Sequence, residues 1–170
     1  MKYVFLVIPV LLGSALFWNL YTPEKTTPTT TQTQREIPSG WKEYQNAPYD
    51  FSVLVPDDVT VHLIEEGQGA VTITFENAKE AQGFQIFIVP YSGDQVSAER
   101  FSQDIPSGVR KNARDITIDG ATASSFDSTN FVVGETAEIW FIHGGFLYEV
   151  TTLKPLEHWL SGIMETWKFL

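Results

Sequence analysis

The side chains that could bind a metal ion or transfer a proton near neutral pH are few. The chain has 170 residues, no cysteine and three histidines, His62, His143 and His158. A metal centre built on imidazole needs further ligands at a suitable spacing, and none of these histidines has such a partner along the chain. We therefore predict three exposed histidines and no metal site.

Two pairs of adjacent acids are the next candidates for acid–base chemistry, Asp57-Asp58 and Glu65-Glu66. Neighbours on an extended chain point to opposite sides, so neither pair makes a carboxylate dyad by itself. Asp57 and Asp58 follow a proline and could contact calcium weakly, but no calcium-loop spacing surrounds them. We predict a solvated turn there.

Glycine motifs give no support for nucleotide binding or hydrolysis. Gly67-Gln68-Gly69 and Gly144-Gly145 have no following Lys-Ser/Thr and no helix opens after them, so they are turn glycines. No Gly-x-Ser-x-Gly elbow is present. The sequence predicts no enzyme and no cofactor. The enzymatic alternative, a hydrolase using scattered acids, would require two carboxylates that converge in one cleft.

Aromatic side chains are numerous and could serve binding instead of chemistry. Four of them lie near predicted strand ends and could line a groove: Trp41, Tyr44, Tyr49 and Tyr91. Aromatic residues at such positions more often belong to a core or its rim. We predict the latter.

Alternation of apolar and polar residues shows which elements position these side chains. Apolar and polar residues alternate on both sides of the Gly67-Gln68-Gly69 turn, at residues 59–64 and 71–75, which indicates a hairpin. Asp119-Gly120 and His143-Gly144-Gly145 each separate extended runs and predict two more hairpins. Residues 84–89 are apolar on both sides, as expected of a central strand.

Two helices interrupt the predicted strands. Ser97 can cap a helix that runs to about Ile105 and is stopped by the Pro-Ser-Gly that follows. A second helix begins near Pro155 and shows an apolar stripe at helical spacing, made of Leu156, Trp159, Leu160, Ile163, Met164 and Trp167. The predicted fold class is α+β: a central antiparallel β-sheet flanked by helices.

Two stretches resemble PsbP-like domains. The first is the aromatic-x-Phe-Ser strand with its following proline at residues 49–58, and the second is the hairpin at residues 142–148 with a terminal helix that ends in Trp167-Lys168-Phe169. The resemblance covers about residues 41–169 and implies the sandwich fold that this family shares with Mog1-type proteins. It also implies a non-enzymatic accessory or assembly role, best known on the lumenal side of photosystem II. The tryptophan that often follows the proline is Val59 here, and no family ligand residue matches by position.

The N-terminal residues predict where the domain works. Tyr3 to Tyr21 are 19 uncharged residues, and a helix of that length is about 28 Å long, close to the thickness of a bilayer's hydrocarbon core. Residues 1–21 therefore predict a membrane anchor with the domain on the extracytoplasmic side. A signal peptide cleaved at Gly13-Ser14-Ala15 is the alternative, and the protein would then be secreted. Without cysteine, lipid attachment as a bacterial lipoprotein is excluded.

Residues 22–39 are rich in threonine and proline and predict a disordered linker. Residues 40–170 are predicted to form one domain, whose eight basic and 19 acidic side chains give a net charge of −11. Such an excess of acid argues against binding to nucleic acid or to anionic lipid surfaces.

The functional prediction is a membrane-tethered, non-enzymatic accessory or protein-binding domain. The alternative is a carrier of a small apolar ligand, with a pocket between sheet and helix. The sequence does not identify the protein partner or the ligand.

Overall fold

The structure, a computed structural model, describes residues 35–170. In this part of the chain ten strands and two α-helices follow each other in order: β1 (Trp41–Asn46), β2 (Phe51–Pro56), β3 (Thr60–Gly67), β4 (Ala70–Asn77), β5 (Gln82–Pro90), α1 (Ala98–Asp104), β6 (Lys111–Ile118), β7 (Ala121–Asn130), β8 (Gly134–His143), β9 (Phe146–Leu153), α2 (Glu157–Met164) and β10 (Lys168–Phe169). Short 3₁₀ turns at Ala47–Tyr49 and Lys154–Leu156 precede β2 and α2.

Seven strands form one antiparallel sheet with the order β3-β4-β5-β9-β8-β7-β6. It consists of two meanders, β3 to β5 and β6 to β9, each built from consecutive hairpins. The two meanders meet where β5 pairs with β9, for example at Phe87 opposite Glu149. The strand predicted to be central, at residues 84–89, therefore lies inside the sheet as expected.

The three hairpins predicted from turn residues are all confirmed. The Asp119-Gly120 turn joins β6 to β7 with Ile118 opposite Ala121, and both turn residues have positive φ, 42° and 89°. This is the backbone that a type I′ turn requires, which explains why a glycine stands second. The turns after Gly67 and His143 likewise join β3 to β4 and β8 to β9.

A smaller sheet of order β1-β2-β10 covers one face of the large sheet, which we call the inner face. Phe51 of β2 stacks on Trp167, with ring centroids 4.3 Å apart. The Tyr148 hydroxyl of β9 donates a hydrogen bond to the carbonyl oxygen of Tyr49 at 2.6 Å and so ties the layers together. The main core lies between these two sheets.

The predicted helix-flanked α+β sandwich is wrong as a fold class, because the described residues are mostly antiparallel strand with only two short helices. Helix α1 has seven residues and α2 has eight. Strands make most of the inner covering layer, since β2 pairs with β1 on one side and with β10 on the other. The apolar periodicity of residues 156–167 suggested a longer helix than the one observed.

That apolar stripe is nonetheless buried. Leu160, Ile163 and Met164 of α2 pack into the main core, and Trp167 joins them from the turn after the helix. Just past the end of the helix, the Thr166 hydroxyl accepts a hydrogen bond from the Leu54 backbone amide at 2.9 Å. The predicted first helix is confirmed as α1, with the Ser97 side chain accepting from the Arg100 backbone amide.

The predicted membrane anchor at residues 1–21, its alternative cleavage site and most of the predicted linker lie outside the described residues. Among residues 35–170, neither helix has the length and apolar character that crossing a membrane requires.

Candidate functional site

The three histidines lie in separate parts of the domain. His62 is exposed on β3 and His158 is exposed on α2. His143 stacks on Phe169 with ring centroids 3.5 Å apart, and its Nε2 atom lies 3.8 Å from the Asp50 carboxylate. No group of three or more His, Asp or Glu side chains within residues 35–170 is placed to hold a metal ion.

The acidic pairs seen in the sequence do not form a site either. Asp57 and Asp58 are exposed in the turn between β2 and β3, where the Asp57 carbonyl oxygen accepts from Lys42 Nζ at 2.7 Å. Glu65 and Glu66 are exposed at the end of β3, and Glu66 accepts from the Thr72 hydroxyl. The structure does not bring the two pairs together.

The four candidate aromatic residues serve packing. Trp41, Tyr44 and Tyr49 are half-buried against the main core, and Tyr44 meets Phe75 edge-to-face at 5.2 Å. Tyr91 braces the segment before α1: its hydroxyl donates to the Gln95 carbonyl and accepts from the Ser97 amide. The predicted core or rim position is therefore confirmed for Trp41, Tyr44 and Tyr49, whereas Tyr91 supports the loop before α1.

A groove lies on the opposite, outer face of the large sheet, beside the end of α1. Its volume is about 730 Å³. The floor comes from both meanders, with Gln85 and Phe87 on β5 and Glu149 and Thr151 on β9. One wall is formed by residues 103–106 at the end of α1. We call this feature the outer groove.

Glu138 is a buried carboxylate on the floor of the outer groove, with 2% of its surface exposed. It accepts hydrogen bonds from the hydroxyls of Thr136 and Thr151, both at 2.6 Å, and from the Trp140 indole at 3.4 Å. All three donors are neutral. Burial raises the pKa of Glu138 and outweighs these hydrogen bonds, which lower it.

Glu149 is the second buried carboxylate, with 5% of its surface exposed. Asp104 approaches it from α1, and Arg100 lies between α1 and the sheet, in contact with Asp104 and 3.6 Å from Glu149 Oε1. Burial, and then the neighbouring Asp104, raise the pKa of Glu149 to about 9. Burial and Asp104 thus favour the protonated form of Glu149, and Arg100 opposes them.

The lining of the outer groove is acidic and contains no basic side chain. Its carboxylates are Glu76, Asp104, Glu138 and Glu149, and no Lys, Arg or His lines it among the described residues. The Ser128 hydroxyl, on a residue only 3% exposed, also lines the groove and has no hydrogen-bond partner within residues 35–170. Buried polar groups are normally paired, so this hydroxyl keeps unused hydrogen-bonding capacity at the groove.

The rim of the outer groove carries three consecutive exposed apolar residues in the turn between β7 and β8. Phe131, Val132 and Val133 are 79%, 91% and 57% exposed, and all three line the groove. The Asn130 side-chain oxygen accepts from the backbone amides of Val132 and Val133, at 2.8 and 3.2 Å. We call residues 131–133 the apolar tip. Its backbone is held in place although its side chains contact solvent.

Two carboxylates do converge here, as the hydrolase alternative required, but they are Asp104 and Glu149, which the sequence analysis did not select. Their side chains are 12% and 7% exposed, and Arg100 lies against both. Arg100 is paired with both carboxylates, so neither is set to activate an attacking water. This arrangement does not favour hydrolysis.

The acids of the outer groove had one signal in the sequence. Glu138 begins the apolar strand run at residues 138–142, and Glu149 interrupts the one at residues 146–150. A charged residue inside such a run must be exposed at an edge or buried with partners. The contribution of Asp104 could not be foreseen, because it depends on where α1 crosses the sheet.

On the inner face, one place where the alternative carrier pocket between sheet and helix could lie, core side chains occupy the space. Leu160, Ile163 and Met164 pack α2 tightly against the main core. Val59, where related domains often have a tryptophan, is only 1% exposed and lies in the same core. The outer groove is on the other face of the sheet.

Comparison with known proteins supports the fold. No protein-family model matches the chain, and no curated protein matches it. The solution structure of cyanobacterial PsbP (CyanoP) from Synechocystis sp. PCC 6803 matches with a TM-score of 0.54 and 13% sequence identity, over 77% of this chain and 93% of that chain. The predicted PsbP-like fold is thus confirmed, and at this identity the likeness concerns the fold alone.

Proposed function

We propose that this chain is a non-enzymatic accessory domain that binds a partner protein through the outer groove. The observation that carries the proposal is the apolar tip, because three adjacent apolar side chains held in solvent at the rim of a groove are costly unless something covers them. The likeness to PsbP-like proteins, whose members act as accessory factors, is consistent with this role.

We also propose that residues 1–21 anchor the domain to a membrane, with the domain on the extracytoplasmic side. The support is the uncharged run of 19 residues, the interfacial aromatic residues Tyr3, Trp18 and Tyr21, and the Thr/Pro-rich segment that follows. N-terminal sequencing of the mature chain tests this. An N-terminus at Leu16 would show cleavage and would rule out the anchor.

The binding proposal is tested by cross-linked pull-down from native membranes, with the full chain as bait. The double variant Phe131→Ser/Val132→Ser removes most of the apolar tip and should lose the partner that the wild type recovers. The matched control is Leu63→Ser/Leu170→Ser, because these two residues are also exposed, at 48% and 54%, and neither lines the groove. Recovery of the same partner by both variants would refute docking at the tip.

A second function has one observation in its favour. The volume of the outer groove, about 730 Å³, lies within the range of small-molecule sites, so the groove could carry a ligand instead of a protein segment. Native mass spectrometry of the purified full chain separates the two. A co-purifying small molecule that disappears with the tip variant would support a carrier, and an unliganded mass would count against it.

A further inference from the structure

We propose that the outer groove recognises a partner segment in which a Lys or Arg side chain is flanked by apolar residues. In this arrangement the apolar flanks cover the apolar tip, and the cationic head group lies over Glu138 and Glu149 on the floor. The inference rests on the proposed binding function and specifies the chemistry of the partner.

The first step in the argument is charge. Four carboxylates line the groove without a basic residue among its lining, and the domain as a whole is strongly acidic. Arg100 contacts Asp104 and Glu149 from the α1 side, whereas the hydrogen-bond donors to Glu138 are all neutral. A cation entering the groove would give Glu138 a charged partner, which its neutral donors do not supply.

The second step is the unused hydrogen-bonding capacity of the floor. The Ser128 hydroxyl is buried and has no hydrogen-bond partner within residues 35–170. A guanidinium offers five donors and an ammonium three, so either group can use this oxygen as an acceptor together with a carboxylate. A purely apolar segment would leave it unpaired.

The third step is the coupling to protons. Burial raises the pKa of both floor carboxyls, Glu138 and Glu149, and so favours their neutral forms. The charged or titratable groups that face Glu149 are Asp104 and Arg100 on α1 and Glu138 on β8. A bound cation favours the ionised form, so binding should release a proton. The affinity for a basic segment should therefore rise with pH, by up to about tenfold per pH unit below the pKa of Glu149.

The experiment compares three peptides of the sequences acetyl-SLARAFS-amide, acetyl-SLAQAFS-amide and acetyl-SLAEAFS-amide. Each is titrated into the isotopically labelled full chain, and binding is followed by amide chemical shifts and calorimetry at pH 6.0, 7.0 and 8.0. We expect the Arg peptide to shift resonances of Ser128 and Thr151 and to bind about tenfold more tightly than the Gln peptide at pH 8.0. The Glu peptide should bind least, and only the Arg peptide should gain affinity with pH.

Two variants identify the carboxylates responsible. Glu138→Gln and Glu149→Gln should each reduce the preference for the Arg peptide while leaving the Gln peptide unaffected. Glu65→Gln, an exposed acid on β3, is the matched control and should change neither.

Equal affinity of the Arg and Gln peptides for the wild type would overturn the inference without needing any variant. If both then shift the same groove resonances, docking in the groove stands and only the charge preference is lost. An Arg peptide that does not bind, or that shifts resonances of β3 alone, would also overturn the inference. The proposed binding function is decided separately, by the pull-down with the tip variant.

Discussion

The buried carboxyl of Glu149 should make the stability of the protein fall as the pH rises, and the isosteric change Glu149→Gln should remove this effect. The pKa of Glu149 is raised from 4.5 to about 9 in the folded protein, first by burial and then by Asp104. Between these two values the folded state holds one proton more than the unfolded state. The contribution to stability is therefore fully present below about pH 4.5 and is lost as the pH rises toward 9.

The size of the expected effect follows from how steeply the free energy of unfolding depends on pH. One extra bound proton changes the free energy of unfolding by about 1.4 kcal/mol per pH unit, so the loss between pH 5.5 and 7.5 is about 3 kcal/mol. Glu138, whose pKa is also raised, adds a slope of the same sign. It is present in both proteins and cancels in their difference. The difference in stability between variant and wild type should therefore increase with pH in favour of the variant.

The assay is urea unfolding of the full chain at half-unit steps from pH 5.5 to 8.5, followed by tryptophan fluorescence. Glu135→Gln, an exposed acid on the same strand as Glu138, is the control and should give a difference that does not vary with pH. Parallel stability curves for wild type and Glu149→Gln would refute the reasoning. They would mean that Glu149 is ionised in the fold, held by Arg100, and that its environment is more polar than its burial indicates.

Three further changes test the packing. Trp167→Ala should lower the free energy of unfolding by about 3–5 kcal/mol, measured by urea titration, because the ring is buried and stacked on Phe51; a loss below about 1 kcal/mol would contradict that role. Asp119→Ala should lower the free energy of unfolding by about 1–2 kcal/mol in the same assay. It should also speed amide exchange at Phe169, whose backbone amide donates to the Asp119 carboxylate at 2.9 Å. Unchanged exchange would argue against a stabilising role of this hydrogen bond. Phe131→Ser should change stability by less than about 0.5 kcal/mol, since the ring is 79% exposed, and a large loss would show that the apolar tip belongs to the core.

Local signals predicted the strands and turns of this fold well. Asp119-Gly120 defines its hairpin because two adjacent residues must adopt positive φ, and this requirement is visible in the sequence. The Ser97 cap likewise marks the start of α1 correctly. Such features depend on residues that are close along the chain.

Layering could not be predicted in the same way. Whether helices or strands cover the inner face is decided by the pairing of β2 with β10, which are more than 100 residues apart in the chain. The helical periodicity that ends at Trp167 is compatible with a longer helix, whereas the observed helix ends at Met164 and Thr166 then contacts Leu54 of β2. The fold class was wrong for this reason.

The candidate site was the least predictable part. The polar residues chosen from the sequence, such as Asp57 and His62, are exposed and scattered, whereas Glu138 and Glu149 are buried in strands that read as core. Because their neighbours in the sequence are apolar, both glutamates lie in segments that are typical of core strands. The site depends on β5 and β9 being adjacent and on α1 crossing the outer face, and neither arrangement has a local signature.

The two-meander construction of the large sheet also has a kinetic consequence. Each meander is made of local hairpins, whereas β5 and β9 pair across roughly 60 residues of chain, so we expect their docking to be the slow step of folding. Until that step is complete, both strands present unpaired apolar edges, and the chain is then most prone to aggregate. The outer groove spans this junction, so it forms only in the fully docked protein. A molecule bound in it would contact both meanders and slow their separation.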